Sequence, residues 1–306
     1  MAEPVISVAH LEKRYRDVVA VRDVSFEVNA GEIFGILGPN GCGKTTTVEC
    51  LQGLRRADGG SIRVLGLDPQ RQASELRRHI GAQLQESALP DRIKVWEALQ
   101  LFSSLAPEGR RWTAVMEEWG LADKRDATFA SLSGGQQQRL FVALALVNSP
   151  KVVFLDEMTT GLDPASRRVA WDLVDRLREQ GTTVVLVTHF MDEAETLCDR
   201  VAIMADHRVV ALDQPATLVD RYSGGSEVTF TTDGDVAFLG GVPGAAEVAV
   251  LGRHVTVTGT GPLLVHVAAA LVQRGMTPLD LQVARPTLES VFLQLTGGAP
   301  VEPGEA

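Results

Sequence analysis

The run Gly38-Pro39-Asn40-Gly41-Cys42-Gly43-Lys44-Thr45 constrains this chain more than any other stretch. It satisfies the pattern G-x-x-x-x-G-K-[ST], which carries meaning when a strand enters it and a helix leaves it. Both are expected here: residues 33–37 form a short apolar run that reads as a buried strand, and residues 44–54 carry apolar side chains at helical spacing. Glycines without Cβ let successive backbone N–H groups wrap a chain of phosphates, and the following helix N-terminus adds positive potential. Lys44 brings a mobile ammonium to the β and γ oxygens, Thr45 offers its hydroxyl to Mg2+, and Thr46 reaches the α-phosphate.

A triphosphate site also needs a carboxylate to position its cation. Downstream, Val152-Val153-Phe154-Leu155-Asp156-Glu157 supplies one. Four apolar residues predict a buried strand whose end presents Asp156 to the Mg2+ shell. Glu157 follows immediately and faces the attacking water. With a reference pKa of about 4.3, a glutamate is ionised at neutral pH and can accept or orient a water proton.

The rest of the chain reads as α/β. Val5, Ser7 and Ala9 alternate with Ile6, Val8 and His10, and Val24, Phe26 and Val28 alternate with polar neighbours, which predicts antiparallel strands. Residues 94–148 are mostly helical in pattern, with Trp96, Leu99, Phe102 and Leu105 on one face and Met116, Trp119 and Leu121 after a break at Pro107 and Gly109. The apolar runs at 152–155 and 183–187, separated by a helical stretch, imply a parallel sheet buried on both faces. A Gly- and Ser-rich stretch at 222–226 marks a boundary. Short strands follow at 228–231, 247–251 and 254–258, then a helix at 263–274, a strand near 279–284 and a helix at 287–296. The expected domains are therefore residues 1–222, with a helical subdomain at about 87–149, and 227–297, with a disordered tail at 298–306.

Composition removes several functions. With 29 basic against 39 acidic side chains the formal net charge is −10, so no general nucleic-acid binding is expected. No apolar run approaches the ~20 residues of a spanning helix, and the first residues lack the features of a secretory signal. Cys42, Cys50 and Cys198 have no metal-ligand spacing and suit free thiols in a reducing cytosol.

Leu132-Ser133-Gly134-Gly135-Gln136 resembles the LSGGQ motif of ATP-binding cassette (ABC) ATPases, the engine subunits of ABC transporters. The family's other elements match one by one. Tyr15 resembles the aromatic residue that stacks on adenine. Gln85 resembles the glutamine that touches Mg2+ and the water and senses the transporter, with Gln83 the alternative two residues away. Gly161-Leu162-Asp163 is similar to the loop that crosses the dimer interface, and His189 to the histidine that contacts the γ-phosphate. The resemblance implies a mixed sheet with an antiparallel β subdomain and a helical subdomain, plus a small α+β C-terminal domain. It also implies catalysis by Glu157, His189 and Gln85, with Mg2+ held by Thr45, Gln85 and Asp156. ATP would lie between the Gly-rich loop of one chain and Ser133, Gly134, Gly135 and Gln136 of another, in a homodimer with two equivalent sites. Met158 departs from the proline of most members. Cys42, a thiol beside a helix N-terminus, is expected to have a lowered pKa.

Residues 83–90 and the run Pro286-Thr287-Leu288-Glu289-Ser290-Val291-Phe292-Leu293-Gln294-Leu295-Thr296-Gly297 resemble the ATP-binding subunits of ABC-2 type exporters, the group of daunorubicin/doxorubicin resistance ATPases. That branch implies a separate ABC-2 type membrane permease, drug or other small hydrophobic cargo, and a place on the cytoplasmic face of the membrane. Ile93, Val95 and Trp96 are candidates for the permease contact. The alternative is a soluble cassette ATPase acting on ribosomes or nucleic acid, but such relatives generally carry two fused cassettes or a coiled-coil insertion. This chain has one cassette and no heptad array.

Overall fold

The computed structural model describes residues 3–83, 88–105, 109–222, 225–284 and 286–297, and the chain divides into one unit ending at Pro215 and another beginning at Ala216. The first unit contains β1 (Ile6–Tyr15), β2 (Val18–Val28), β3 (Ile33–Leu37), β4 (Gly59–Val64), β5 (Ile80–Gln83), β6 (Val152–Asp156), β7 (Thr183–Thr188), β8 (Arg200–Ala205) and β9 (Arg208–Asp213). Strands β2-β1-β4 form an antiparallel sheet in which Ile6 faces Val28 and Val8 faces Phe26. Strict alternation would bury His10 next, but an irregularity between Val8 and Leu11, with His10 at φ +54°, shifts the phase so that Leu11 enters the core.

The second sheet has the order β5-β6-β7-β3-β8-β9, parallel throughout except for the β8–β9 pair. Every residue of β3, β6 and β7 is buried, as a sheet covered on both faces requires. Its inner face packs against the antiparallel sheet: Ile6, Val8, Val24 and Phe26 share a core with Phe34, Ile36, Phe154 and Val187, and the helix Lys44–Leu51 contributes Val48, Cys50 and Leu51. Phe26 and Phe34 stack with ring centroids 5.2 Å apart, joining the two sheets. That helix ends at Leu51, short of the expected residue 54, because Gly53 takes φ +69° just beyond its cap.

Between β5 and β6 the helices Val95–Ser104, Trp112–Glu118 and Gly134–Leu146 pack on one another and bury Leu99, Val115, Met116 and Leu140. Leu105, read as part of the apolar face, lies past the end of its helix and is 72% exposed. Val95, read as a permease contact, is fully buried and belongs to the core, whereas Trp96 and Ile93 are half-buried.

The second unit contains β10 (Ser226–Thr231), β11 (Ala245–Leu251), β12 (His254–Gly259) and β13 (Gln282–Ala284), an antiparallel sheet of order β11-β12-β10-β13. The helix Leu263–Gln273 lays Leu263, Val267 and Leu271 on Val228, Phe230, Val255 and Val257. The strand expected near 279–284 is confined to its last three residues, and Leu279 is fully exposed. The last helix, Leu288–Thr296, is capped by the Thr287 hydroxyl, which accepts from Ser290 N at 3.3 Å. Residues 298–306, read as a tail, lie outside the described residues. No helix among the described residues is long and apolar enough to cross a membrane.

Candidate active site

Parallel strands end at the same edge of their sheet, and that geometry assembles the first half of the site. Leu37 of β3 pairs with Thr188 of β7, and Asp156 of β6 pairs with Val187. The loop of residues 38–45, the Asp156-Glu157 pair and His189 therefore emerge side by side, where ligands bind in open α/β sheets.

The loop needs glycine at defined points. A Cβ on Gly38 would lie 2.5 Å from Cys42 Sγ and 2.6 Å from Met204 O, and one on Gly43, at φ +102°, would collide with Ala20 O. Gly41 is required only by its φ of +80°, since nothing lies within 4 Å of its added Cβ. Lys44 is folded over the loop, its Nζ donating to Gly38 O at 2.7 Å and Pro39 O at 3.1 Å. Asn40, Gly41 and Thr45 are exposed, while Pro39 and Thr46 are half-buried. Cys42 is buried, and burial pushes its thiol pKa up despite the Lys44 charge and backbone N–H groups that oppose the shift. The expectation of a lowered value is thus overturned: desolvation of the thiolate outweighs the helix N-terminus.

Thr45 and Asp156 are placed for a cation. The Thr45 hydroxyl donates to Asp156 Oδ2 at 3.4 Å, whereas Asp156 Oδ1 is buried without a hydrogen-bond partner. Burial first, and the neighbouring Glu157 charge second, push the Asp156 pKa up to about 6. An orphaned carboxylate oxygen beside a hydroxyl is the donor set a hard divalent ion takes, so these residues fit Mg2+. Gln85, read as a further ligand, lies outside the described residues. Gln83, its alternative, is buried at the end of β5, paired with Leu155.

Glu157 adopts φ +49°, a left-handed conformation costly for a side chain of its kind, and its N–H donates to Val187 O at 2.9 Å. At this turn its Oε1 stands 3.3 Å from His189 Nδ1. Behind this pair is a polar cluster that sequence reasoning missed: buried Glu193 accepts from Thr159 Oγ1 and Trp171 Nε1, each at 2.9 Å. Tyr15 sits at the end of β1, 38% exposed, with Lys13 Nζ and Arg55 Cζ at 5.3 and 5.9 Å from its ring centroid.

The second half of the site lies on the helix Gly134–Leu146. Ser133 is its N-cap, and its N–H donates to Gln136 Oε1 at 2.9 Å. Nothing lies within 4 Å of a Cβ added to Gly134, and one on Gly135 would meet Ser166 Oγ at an ordinary 3.4 Å. The neighbouring loop brings Asp163 to the start of the helix Pro164–Glu179, where it accepts from Ala165 N and Ser166 N at 3.0 Å and from Ser166 Oγ at 2.6 Å. These bonds, led by the Ser166 hydroxyl, lower its pKa. A cavity of about 210 Å³ between these two helices is lined by Trp119, Leu162 and Val169, and also by Met158, which is buried.

A phosphate loop, a strand-end Asp-Glu pair, a histidine just past the end of the adjacent strand and a helix opening on Ser-Gly-Gly together define an ABC-type ATPase. Residues 21–160 match the family model described as ABC transporter. The chain is 38% identical over 314 residues to the daunorubicin resistance ATP-binding protein DrrA3 of Streptomyces coeruleorubidus, covering 97% of each chain. It is 38% identical over 304 residues to the Nod factor export ATP-binding protein I of Burkholderia orbicola, covering 95% of this chain and 97% of that one. Among solved structures it resembles the dimeric cassette MJ0796, a bacterial ABC transporter cassette, with a TM-score of 0.61 and 26% identity over 68% of this chain and 98% of that one. An ATP-binding subunit of an ABC transporter shares the fold, with a TM-score of 0.65 and 24% identity over 71% of this chain and 93% of that one. The chain belongs to the ATP-binding subunits of ABC transporters, on the branch of the exporter ATPases, and is an ATP-binding ATPase.

Proposed function

We propose that two copies of this chain close head to tail on two molecules of Mg-ATP and drive a separate ABC-2 type membrane permease from the cytoplasmic face of the membrane. Each nucleotide lies between residues 38–45 of one copy and residues 133–136 of the other, with Tyr15 against the adenine. Thr45 and Asp156 hold the cation, which withdraws charge from the phosphates when bound. Glu157 orients the attacking water and accepts its proton, and His189 contacts the γ-phosphate.

The observation that carries this reading is the pair Gly134 and Gly135. Neither has a positive φ, and no neighbour in the chain forbids a Cβ on Gly134. Glycine at a helix N-terminus without an intramolecular reason is accounted for by a phosphate from outside the chain approaching its N–H groups. The cargo is proposed as a drug or another small hydrophobic molecule, on the strength of full-length relatives named for daunorubicin resistance and Nod factor export.

The test uses Glu157→Gln with Mg-ATP, measured by light scattering after gel filtration. An ATP-dependent dimer is expected, and an ATP-loaded monomer would count against head-to-tail closure. Crosslinking the same variant in detergent-solubilised host cells is expected to recover a polytopic membrane protein. Ribosomal or nucleic-acid proteins in its place would favour a soluble ATPase.

A further inference from the structure

Glu193 is a carboxylate for which the ATPase chemistry above has no use. It is fully buried on the short helix Met191–Leu197, among Met191, Ala194 and Leu197. Its Oε1 accepts from two donors that come from different segments. Thr159 Oγ1 belongs to the turn that follows Glu157, and Trp171 Nε1 belongs to the helix Pro164–Glu179, whose cap is Asp163. One oxygen atom thereby ties together the segment carrying Glu157, the segment carrying His189 and the helix begun at Asp163.

A second contact follows the same line. Arg167, one helical turn before Trp171, places its guanidinium 4.2 Å above the Phe190 ring and reaches Asp192 at 3.4 Å. The Phe190 ring lies 4.1 Å from the His189 imidazole, and Phe190 N donates to Thr188 Oγ1 at 3.0 Å. The turn that carries His189 is thus gripped from the Asp163-capped helix at two points, Arg167 on Phe190 and Trp171 on Glu193.

Stability alone does not account for the acid. A buried carboxylate is costly even when hydrogen-bonded, and an apolar side chain of similar volume would hold this helix at lower cost. Burial pushes the Glu193 pKa up, against the hydrogen bonds from Thr159 and Trp171 that favour the charged form. What a leucine could not do is accept from Thr159 and Trp171 together and so fix three segments in one register.

We propose that Glu193 is a positioning residue that holds His189 against Glu157 and passes the setting of the Asp163-capped helix to that pair. The proposal rests on the reading of Glu157 and His189 as the catalytic pair, and His189→Ala tests that reading first. If the full chain carrying His189→Ala hydrolyses ATP like the parent, that reading fails and the proposal falls with it.

With His189→Ala impaired, Glu193→Ala in the full chain is expected to lower kcat at least ~10-fold while moving KM for ATP by less than ~2-fold. Glu193→Gln keeps an acceptor for Thr159 and Trp171 and is expected to stay within ~3-fold of the parent. In the His189→Ala background, Glu193→Ala is expected to cost less than ~2-fold more, because both changes disable one unit. Multiplying effects in the double variant, or equal losses in the Ala and Gln variants, would overturn the proposal. Should Glu193→Ala not fold, Trp171→Phe keeps the ring and removes one donor. A kcat drop of about 3-fold or more at unchanged KM is then expected, and an unchanged kcat would sink the idea.

Discussion

The Thr45 hydroxyl stands 3.4 Å from Asp156 Oδ2, and the other oxygen of that carboxylate is buried with no hydrogen-bond partner. Burial therefore penalises the ionised form of Asp156, the form that a cation would take as a ligand. Its folded pKa, pushed up to about 6, lies above the ordinary value of 3.8, so the folded state holds the proton more tightly than the unfolded chain. Stability is accordingly lost as pH rises from the lower value through the higher, by roughly 1–3 kcal/mol once solvent screening is allowed for. Asp156→Asn removes the penalty. The nucleotide-free variant is expected to melt higher than the parent by on the order of 2–6 °C at about pH 8, with the difference closing by about pH 4. It is also expected to lose Mg2+-dependent ATP hydrolysis. Calorimetry across pH checks the first part, and a parent-like melting temperature at about pH 8 would contradict it.

Gly134→Ala separates folding from function. A Cβ there meets nothing within 4 Å, and alanine is the better helix former, so the single chain is expected to be as stable as the parent or up to ~1 kcal/mol more so. If a phosphate from another copy's nucleotide approaches this helix N-terminus, the same methyl blocks it. ATP-dependent dimerisation in the Glu157→Gln background and ATP hydrolysis in the parent background are both expected to fall at least ~10-fold. Denaturant titration and light scattering read the two effects independently.

Cys42 offers a test of local electrostatics. The thiol sits beside Lys44 and a helix N-terminus, which would activate it if exposed, but burial dominates and raises its pKa. Iodoacetamide at about pH 7.5 is expected to label Cys42 at least ~10-fold more slowly than a free cysteine, with the rate climbing as pH rises. Labelling followed by peptide mass spectrometry checks this, and labelling at or above the rate of free cysteine would reverse the conclusion.

The legible parts of the fold were those with a local signature. The segment from β3 through the phosphate loop into its helix is readable because strand run, glycine pattern and helical spacing are contiguous, and β6 and β7 are readable as unbroken apolar runs. In the second unit β10 and β12 alternate cleanly enough to be readable within a few residues at each end. Strands β4, β5, β8 and β9 carry no such signature, and β5 takes its conformation from pairing with β6. Strand β4 opens on Gly59-Gly60 and owes its conformation to pairing with β1, and β8 and β9 acquire theirs by completing the edge beside β3. In the site, Asp156, Glu157 and His189 were visible at strand ends, whereas Glu193 was not. It stands in Met191-Asp192-Glu193-Ala194-Glu195, where all three acids look alike until tertiary packing buries one of them completely. The direction of the Cys42 shift was hidden for the same reason, since burial is not a property of the loop sequence.

The phosphate loop's own glycines should differ in cost according to what stands behind each. At Gly41 an alanine meets open space and bears only the price of φ +80°, about 1 kcal/mol, which the loop can absorb by a small rotation. At Gly38 the methyl would lie 2.5 Å from Cys42 Sγ and 2.6 Å from Met204 O, and the carbonyl belongs to β8, which cannot withdraw without breaking its pairing with β3. The loop itself must therefore move, taking with it Gly38 O, to which Lys44 Nζ donates at 2.7 Å. Gly38→Ala is expected to weaken ATP binding at least ~10-fold, whereas Gly41→Ala loses no more than about 5-fold. Titration with a fluorescent ATP analogue measures both. Combining Gly38→Ala with Cys42→Ala then apportions the clash: recovery of less than half the lost binding free energy is expected, because the sulfur yields and the carbonyl does not.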